Sequence, residues 1–132
     1  MSQPQLPVVI IGAGPVGLAA AAHALSRGLT PLVLEAGAAV GAGLRRWGHV
    51  RMFSPWKFNV DSASAGILTK HGWVVPDGDE YPTGQDLVDR YLDPLASTGE
   101  IAAGLRLDTR VVSVAREHRD LMKDTGREHA PF

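Results

Sequence analysis

The sequence contains no cysteine. That absence excludes a disulfide framework, a thiolate zinc site, a catalytic thiol and a C-x-x-C redox pair within these residues. It fits a reducing compartment, and a cytoplasmic location is the expectation. Net charge is nearly absent as well, at −1 over 132 residues, so nothing points to nucleic acid or to an anionic membrane as a partner. The five histidines, His23, His49, His71, His118 and His129, lack metal-ligand spacing, and no metal site is expected. Neither Ser54 nor Ser64 lies in a G-x-S-x-G elbow, so a hydrolase triad has no support. No carboxylate pair suggests glycosidase chemistry.

Charge is also missing locally. Leu6 to Leu25 holds no Asp, Glu, Lys or Arg. This is neither a signal peptide nor a membrane span on its pattern. No Lys or Arg precedes it. Pro7, Gly12, Gly14, Pro15, Gly17 and His23 interrupt it, and its apolar residues split into a β-type run followed by a helical pattern.

What is present is globular in composition, with 45% hydrophobic and 20% charged residues. The length suits one domain able to bury a core. Residues 1–66 hold five Lys or Arg against two Asp or Glu, and four of those bases fall between Arg45 and Lys57. A basic cluster in a neutral chain fits either a local anionic ligand or a solvated loop.

Val8-Val9-Ile10-Ile11 is a continuous β-branched run, which predicts a strand buried on both faces of a parallel sheet. The next residues predict a helix from Pro15 to about Arg27, with Leu18, Ala21, Ala22 and Leu25 on one face, Pro15 in the first turn and Gly28 as C-cap. Pro31 opens a second apolar strand, Leu32-Val33-Leu34, ending at Glu35. Residues 36–82 read as a long irregular segment with short helical turns. Its Trp47, Phe53, Trp56 and Trp73 argue against disorder, because such side chains tend to be buried. Thr83 and Asp86 predict a capping box, and Leu87, Val88, Tyr91, Leu92 and Leu95 form the stripe of the next helix, with a kink or break expected at Pro94. Residues 105–107 and 111–114 look like strands, and 111–114 is expected in the sheet.

Gly12, Gly14 and Gly17 form G-x-G-x-x-G between the first strand and the first helix. Gly12 permits the tight turn, Gly14 lets backbone approach a pyrophosphate, and Gly17 allows close helix–strand packing. The helix N-terminus offers free N–H groups to phosphate. Glu35 follows Gly17 by 18 residues, where its carboxylate can accept from the adenosine ribose hydroxyls. Its charge would repel a 2′-phosphate, which counts against NADP here. The fold class is therefore α/β, a Rossmann-like parallel sheet flanked by helices. Residues 1–35 alone do not separate FAD from NAD. Arg45, Arg46 and Arg51 match phosphate geometry but equally suit a solvated face. Trp47 and Trp56 either wall a flavin or cover the sheet, and His49 is either a cofactor contact or an ordinary loop histidine.

The segment from Pro7 through Gly12-Ala-Gly-Pro-Val-Gly17 to Leu34-Glu35 resembles the N-terminal FAD-binding segment of two-dinucleotide-binding-domain flavoproteins. These include flavin-containing monooxygenases, Baeyer–Villiger monooxygenases and related pyridine nucleotide–flavin oxidoreductases. Val40-Gly-Ala-Gly-Leu-Arg-Arg-Trp47 is similar to the family's Gly-Gly-x-Trp/Arg-Trp stretch beside the flavin, with Ala42 where the second glycine is expected. Tyr81-Pro82-Thr83 with the Leu87-to-Leu92 helix, and Leu107 to Val111, resemble its later segments. The resemblance implies FAD as cofactor, held by Gly12, Gly14, Pro15, Gly17 and Glu35, with Arg45, Arg46 and Trp47 beside it. It implies hydride transfer from NAD(P)H to flavin and reoxidation by O₂. No catalytic residue and no substrate is indicated. A second G-x-G-x-x-G for NAD(P)H is absent from these residues, and so is a later Thr-Gly or Ser-Gly strand. The expectation is a single, incomplete FAD-binding domain over residues 1–132, with an uncovered sheet edge inviting self-association. The other readings are a non-catalytic module for ADP or NAD, and an inactive fragment.

Overall fold

The computed structural model describes residues 5–120, 122 and 125–132. Strand β1 (Val8–Ile11) pairs in parallel with β2 (Pro31–Leu34), Val8 opposite Pro31 and Ile11 opposite Leu34. Parallel pairing requires a crossover, and α1 (Pro15–Ser26) supplies it. Leu18, Ala21, Ala22 and Ala24 of α1 are buried, and Leu25 packs against the core.

Residues 42–102 build a helical layer. It comprises α2 (Ala42–Arg46), a single 3-10 turn at Trp56–Phe58, α3 (Ser62–Lys70), α4 (Gly84–Leu87), a π-helical turn at Val88–Leu92, α5 (Asp93–Ala96) and α6 (Gly99–Ala102). α3 packs against α1 and α5. The segment expected to be irregular thus carries a nine-residue helix. Asp61 starts it, its carboxylate accepting the Ser64 N–H at 2.9 Å. Trp56 is buried and Trp73 packs against the core, as aromatic residues should, whereas Phe53 is exposed.

The third strand is β3 (Leu105–Arg106), parallel to β2, giving the order β1-β2-β3. Residues 111–114 form no strand, contrary to the sequence expectation, and Val112 and Val114 are exposed. The free edge of β2 is taken earlier in the chain. Val33 N–H donates to Gly104 O, Glu35 N–H to Arg106 O, and Thr109 N–H back to Glu35 O. Gly104 makes this possible, since a Cβ there would meet the Pro31 carbonyl. A second difference concerns β1. The β-branched run predicted burial on both faces, yet Val9 and Ile11 are 53% and 59% exposed. Ile10 faces the core beneath α1, and side chains alternate along a strand. The opposite face lacks a helical layer among the described residues.

The stripe Leu87, Val88, Tyr91, Leu92 and Leu95 is buried throughout. Pro94 cannot donate to the helical ladder. The backbone answers with a widened turn over Val88–Leu92, and Pro94 falls in the first turn of α5. At the other end the capping box forms as expected: Asp86 N–H donates to Thr83 Oγ1 at 3.0 Å and Thr83 N–H to Asp86 Oδ2 at 2.8 Å. These bonds from Thr83 hold the Asp86 carboxyl below its ordinary value. A depressed folded-state value stabilises the protein above the unfolded one, and the contribution is lost as pH falls through the folded value. Thr83→Ala should lower stability at neutral pH by about 1 kcal/mol. The difference from wild type should narrow as pH falls through the depressed folded-state value of Asp86, as urea melts across pH will show.

Candidate functional site

The turn between β1 and α1 has the geometry its glycines predict. Gly12 adopts φ +97° and donates its N–H to Leu34 O at 2.8 Å. At Gly17 a Cβ would strike the Gly12 carbonyl oxygen, so α1 lies directly on the strand end. Gly14 is the N-cap of α1, with no side-chain cap, and the first bond inside the helix is Leu18 N–H to Gly14 O at 3.0 Å. The preceding N–H groups of the helix have no acceptor within it. A Cβ at Gly14 would meet nothing within 4 Å. The space in front of the helix end is open.

Glu35 reaches this turn from the end of β2. Its Oε2 accepts the Ala13 N–H and its Oε1 the Gly37 N–H, both at 2.7 Å. The carboxylate is thus fixed in orientation, and each oxygen keeps a further lone pair for a hydroxyl donor. Thr109 N–H to Glu35 O and Asp108 N–H to Gly37 O tie the chain after β3 to the same corner.

A third segment completes the site. Gly41, at φ +66°, donates its N–H to Ala13 O at 2.9 Å and turns the chain into α2. The positive φ falls on Gly41 alone, so Ala42 is accommodated as the first residue of the helix. Trp47 follows α2, and its ring lies over Gly84. Together Gly14, Pro15, Glu35, the Gly41–Leu44 segment and Trp47 line a cavity of about 350 Å³.

Of the candidates named from sequence, Gly14, Pro15, Glu35 and Trp47 line this cavity, while Gly12 and Gly17 shape the turn behind it. Arg45 and Arg46 do not line it. Arg45 is held by Asp93 at 2.6 Å and by the Val40 carbonyl at 3.0 Å, and Arg46 is exposed. Arg51 donates to the Tyr81 carbonyl, His49 is exposed, and Trp56 is buried in the core. Gly41 and Leu44 enter through the stretch from Val40 to Trp47 that resembles the family's flavin segment, whereas Gly37 was not singled out from sequence. The signal was the density of glycine just after an acid that ends a strand. Among the described residues no cluster of His, Asp and Glu could hold a metal ion. None of the described helices is long and apolar enough to cross a membrane.

A family model for pyridine nucleotide-disulphide oxidoreductases matches residues 9–128. The chain belongs to that family.

Solved structures agree with the assignment. Oxidized steroid monooxygenase bound to NADP is 27% identical with a TM-score of 0.65, the match covering 85% of this chain and 21% of that one. OTEMO in an FAD-bound form is 26% identical with a TM-score of 0.62, covering 87% and 21%. OTEMO in complex with FAD and NADP matches at 24% identity and a TM-score of 0.65, covering 89% and 22%, a likeness of fold. The chain spans about a fifth of the length of these structures. A comparison with curated proteins finds no match. The resemblance read from the glycine motif is therefore borne out at the level of family and fold.

Proposed function

We propose that these residues form the ADP-binding part of an FAD site in an NAD(P)H-using flavin oxidoreductase or monooxygenase. The observation that carries this reading is the cavity itself, where an unobstructed glycine turn, the N-terminus of α1 and the Glu35 carboxylate meet. These groups fit an adenosine diphosphate. The α1 N–H groups would hold the pyrophosphate, the Glu35 oxygens the ribose hydroxyls, and the Gly41–Trp47 wall would cover the nucleotide. FAD supplies hydride acceptance when bound. The chain supplies position, charge and exclusion of water on the nucleotide side.

All the cavity walls come from residues 14–47, and the sequence offers no second dinucleotide motif. Residues 1–132 on their own are therefore expected to bind ADP and FAD with similar, micromolar-or-weaker affinity. They should show no NAD(P)H-dependent oxygen consumption above that of free flavin. Absorbance between 350 and 500 nm and an oxygen electrode check this, and a yellow preparation that oxidises NADPH would contradict it.

The same reading extends to association. β1 is an edge strand, with no charged residue from Leu6 to Leu25 to guard it. Val9 and Ile11, with Leu6, Val114 and Phe132, line an apolar groove on its uncovered side. Such edges pair with other chains, and we propose a second copy of this chain as the occupant. Light scattering should show a dimer or larger species that Ile11→Lys shifts toward monomer. A monomeric wild type at tens of micromolar protein removes the proposal.

A further inference from the structure

The wall of the cavity at residues 41–47 is held from behind, by residues that do not touch the cavity. Arg45 lies in α2 with its guanidinium turned away from the glycine turn. Its Nε donates to Val40 O at 3.0 Å, and its Nη2 donates to the Asp93 carboxylate at 2.6 Å. The two bonds come from one planar group, so they fix the direction of the side chain as well as its charge partner. Gly41, next to Val40, sits on the π-helical turn: a Cβ there would lie 3.1 Å from a methyl of Val88 and 3.1 Å from one of Leu92. Its N–H in turn reaches Ala13, the residue whose own N–H fixes Glu35. A continuous chain of contacts therefore runs from Asp93 through Arg45, Val40 and Gly41 to the glycine turn. The widened turn over Val88–Leu92 sets where Asp93 emerges, since inserting a residue into a helix rotates all that follows.

We infer that Arg45 and Asp93 are positioning residues, a clamp that seats the Gly41 turn against the glycine-rich turn, and that Arg45 is not an anion ligand. The binding consequence rests on the nucleotide reading of the cavity, but the clamp itself does not. An exposed ion pair alone contributes little. Here Arg45 and Asp93 are 33% and 42% exposed, and the carbonyl bond and the Gly41 seat add to the pair.

The test uses the full chain with Asp93→Asn, Arg45→Met and Arg45→Lys. Without ligand, the exchange rate of the Gly41 amide is measured by NMR. Both Asp93→Asn and Arg45→Met should speed it by about fivefold, with Arg45→Lys between them and wild type. Titration with adenosine, AMP and ADP should then show all three ligands weakened by one common factor in both variants. If Arg45→Met weakens ADP selectively while Asp93→Asn leaves it unchanged or tighter, Arg45 binds the anion and the inference is overturned. Unchanged Gly41 exchange in both variants overturns it as well. A wild-type chain that binds none of the three ligands refutes the nucleotide reading, and the Gly41 exchange rates then decide the clamp alone.

Discussion

Gly17→Ala should destabilise the protein by about 3 kcal/mol or more, at the upper end of overpacking effects. In an exposed helix the same change would gain about 1 kcal/mol from helix propensity. Here the added methyl meets the carbonyl oxygen of Gly12, which is backbone anchored by the hydrogen bond between Gly12 and Leu34. It cannot swing aside as a flexible side chain would, so α1 must lift from β1. Gly14→Ala is the control. Its Cβ enters open space at an ordinary extended backbone conformation, and only a weaker helix cap is at stake, within about 1 kcal/mol. Gly14→Val should keep the fold and place its methyls where the pyrophosphate would lie, lowering ADP affinity at least about tenfold, or 1.4 kcal/mol. Chemical denaturation paired with ADP titration separates the two glycines. Equal stability losses at positions 14 and 17 would show that the packing argument is wrong.

The second large effect is expected at Glu35. Gln has one acceptor oxygen where the carboxylate has two. In Glu35→Gln either Ala13 or Gly37 must therefore face an amide NH₂, since both N–H groups now end on the carboxylate. Hydrogen bonds to charged groups are worth about 1.5–3 kcal/mol, and the half-buried setting favours the lower figure. A stability loss of about 2 kcal/mol is expected on that basis. ADP should weaken about tenfold or more with the loss of ribose contacts. An ADP bearing a 2′-phosphate should lose less or gain, because the repelling charge is gone. Titration of both nucleotides against wild type and variant reads the ratio directly. A ratio that does not move would separate Glu35 from ribose recognition.

Much of this architecture is legible from local chemistry. The β1–α1–β2 unit follows from a β-branched run, a glycine turn and a helical stripe, all within a few residues of one another. The capping box at Thr83 and Asp86 is equally local. The pieces that escaped were decided by tertiary competition. Residues 111–114 have the stronger strand composition, yet Leu105–Arg106 holds the edge of β2 because Gly104 lets the backbone approach Pro31. α3 was hidden because Ser and Gly dilute its stripe, although Asp61 marks its start. Nothing in the linear sequence shows that Arg45 pairs with Asp93, 48 positions on. Pro94 announced a disturbance, but the widened turn that absorbs it depends on burying Val88, Tyr91 and Leu92 together.

The most direct test of the central claim is a titration of the isotopically labelled chain with ADP, followed amide by amide. The proposed site predicts saturable shifts confined to one region. These are the Ala13 and Gly14 amides of the glycine turn, Gly37 beside Glu35, the amides from Gly41 to Leu44, and the Trp47 indole. Adenosine should reproduce the part near Glu35 and lack the part at the α1 N-terminus. Shifts centred instead on a cleft that Leu25 and Ser26 of α1 form with Ala63 and Lys70 of α3, on the apolar groove beside β1, or nowhere at millimolar ADP would contradict the assignment of this cavity as a dinucleotide site.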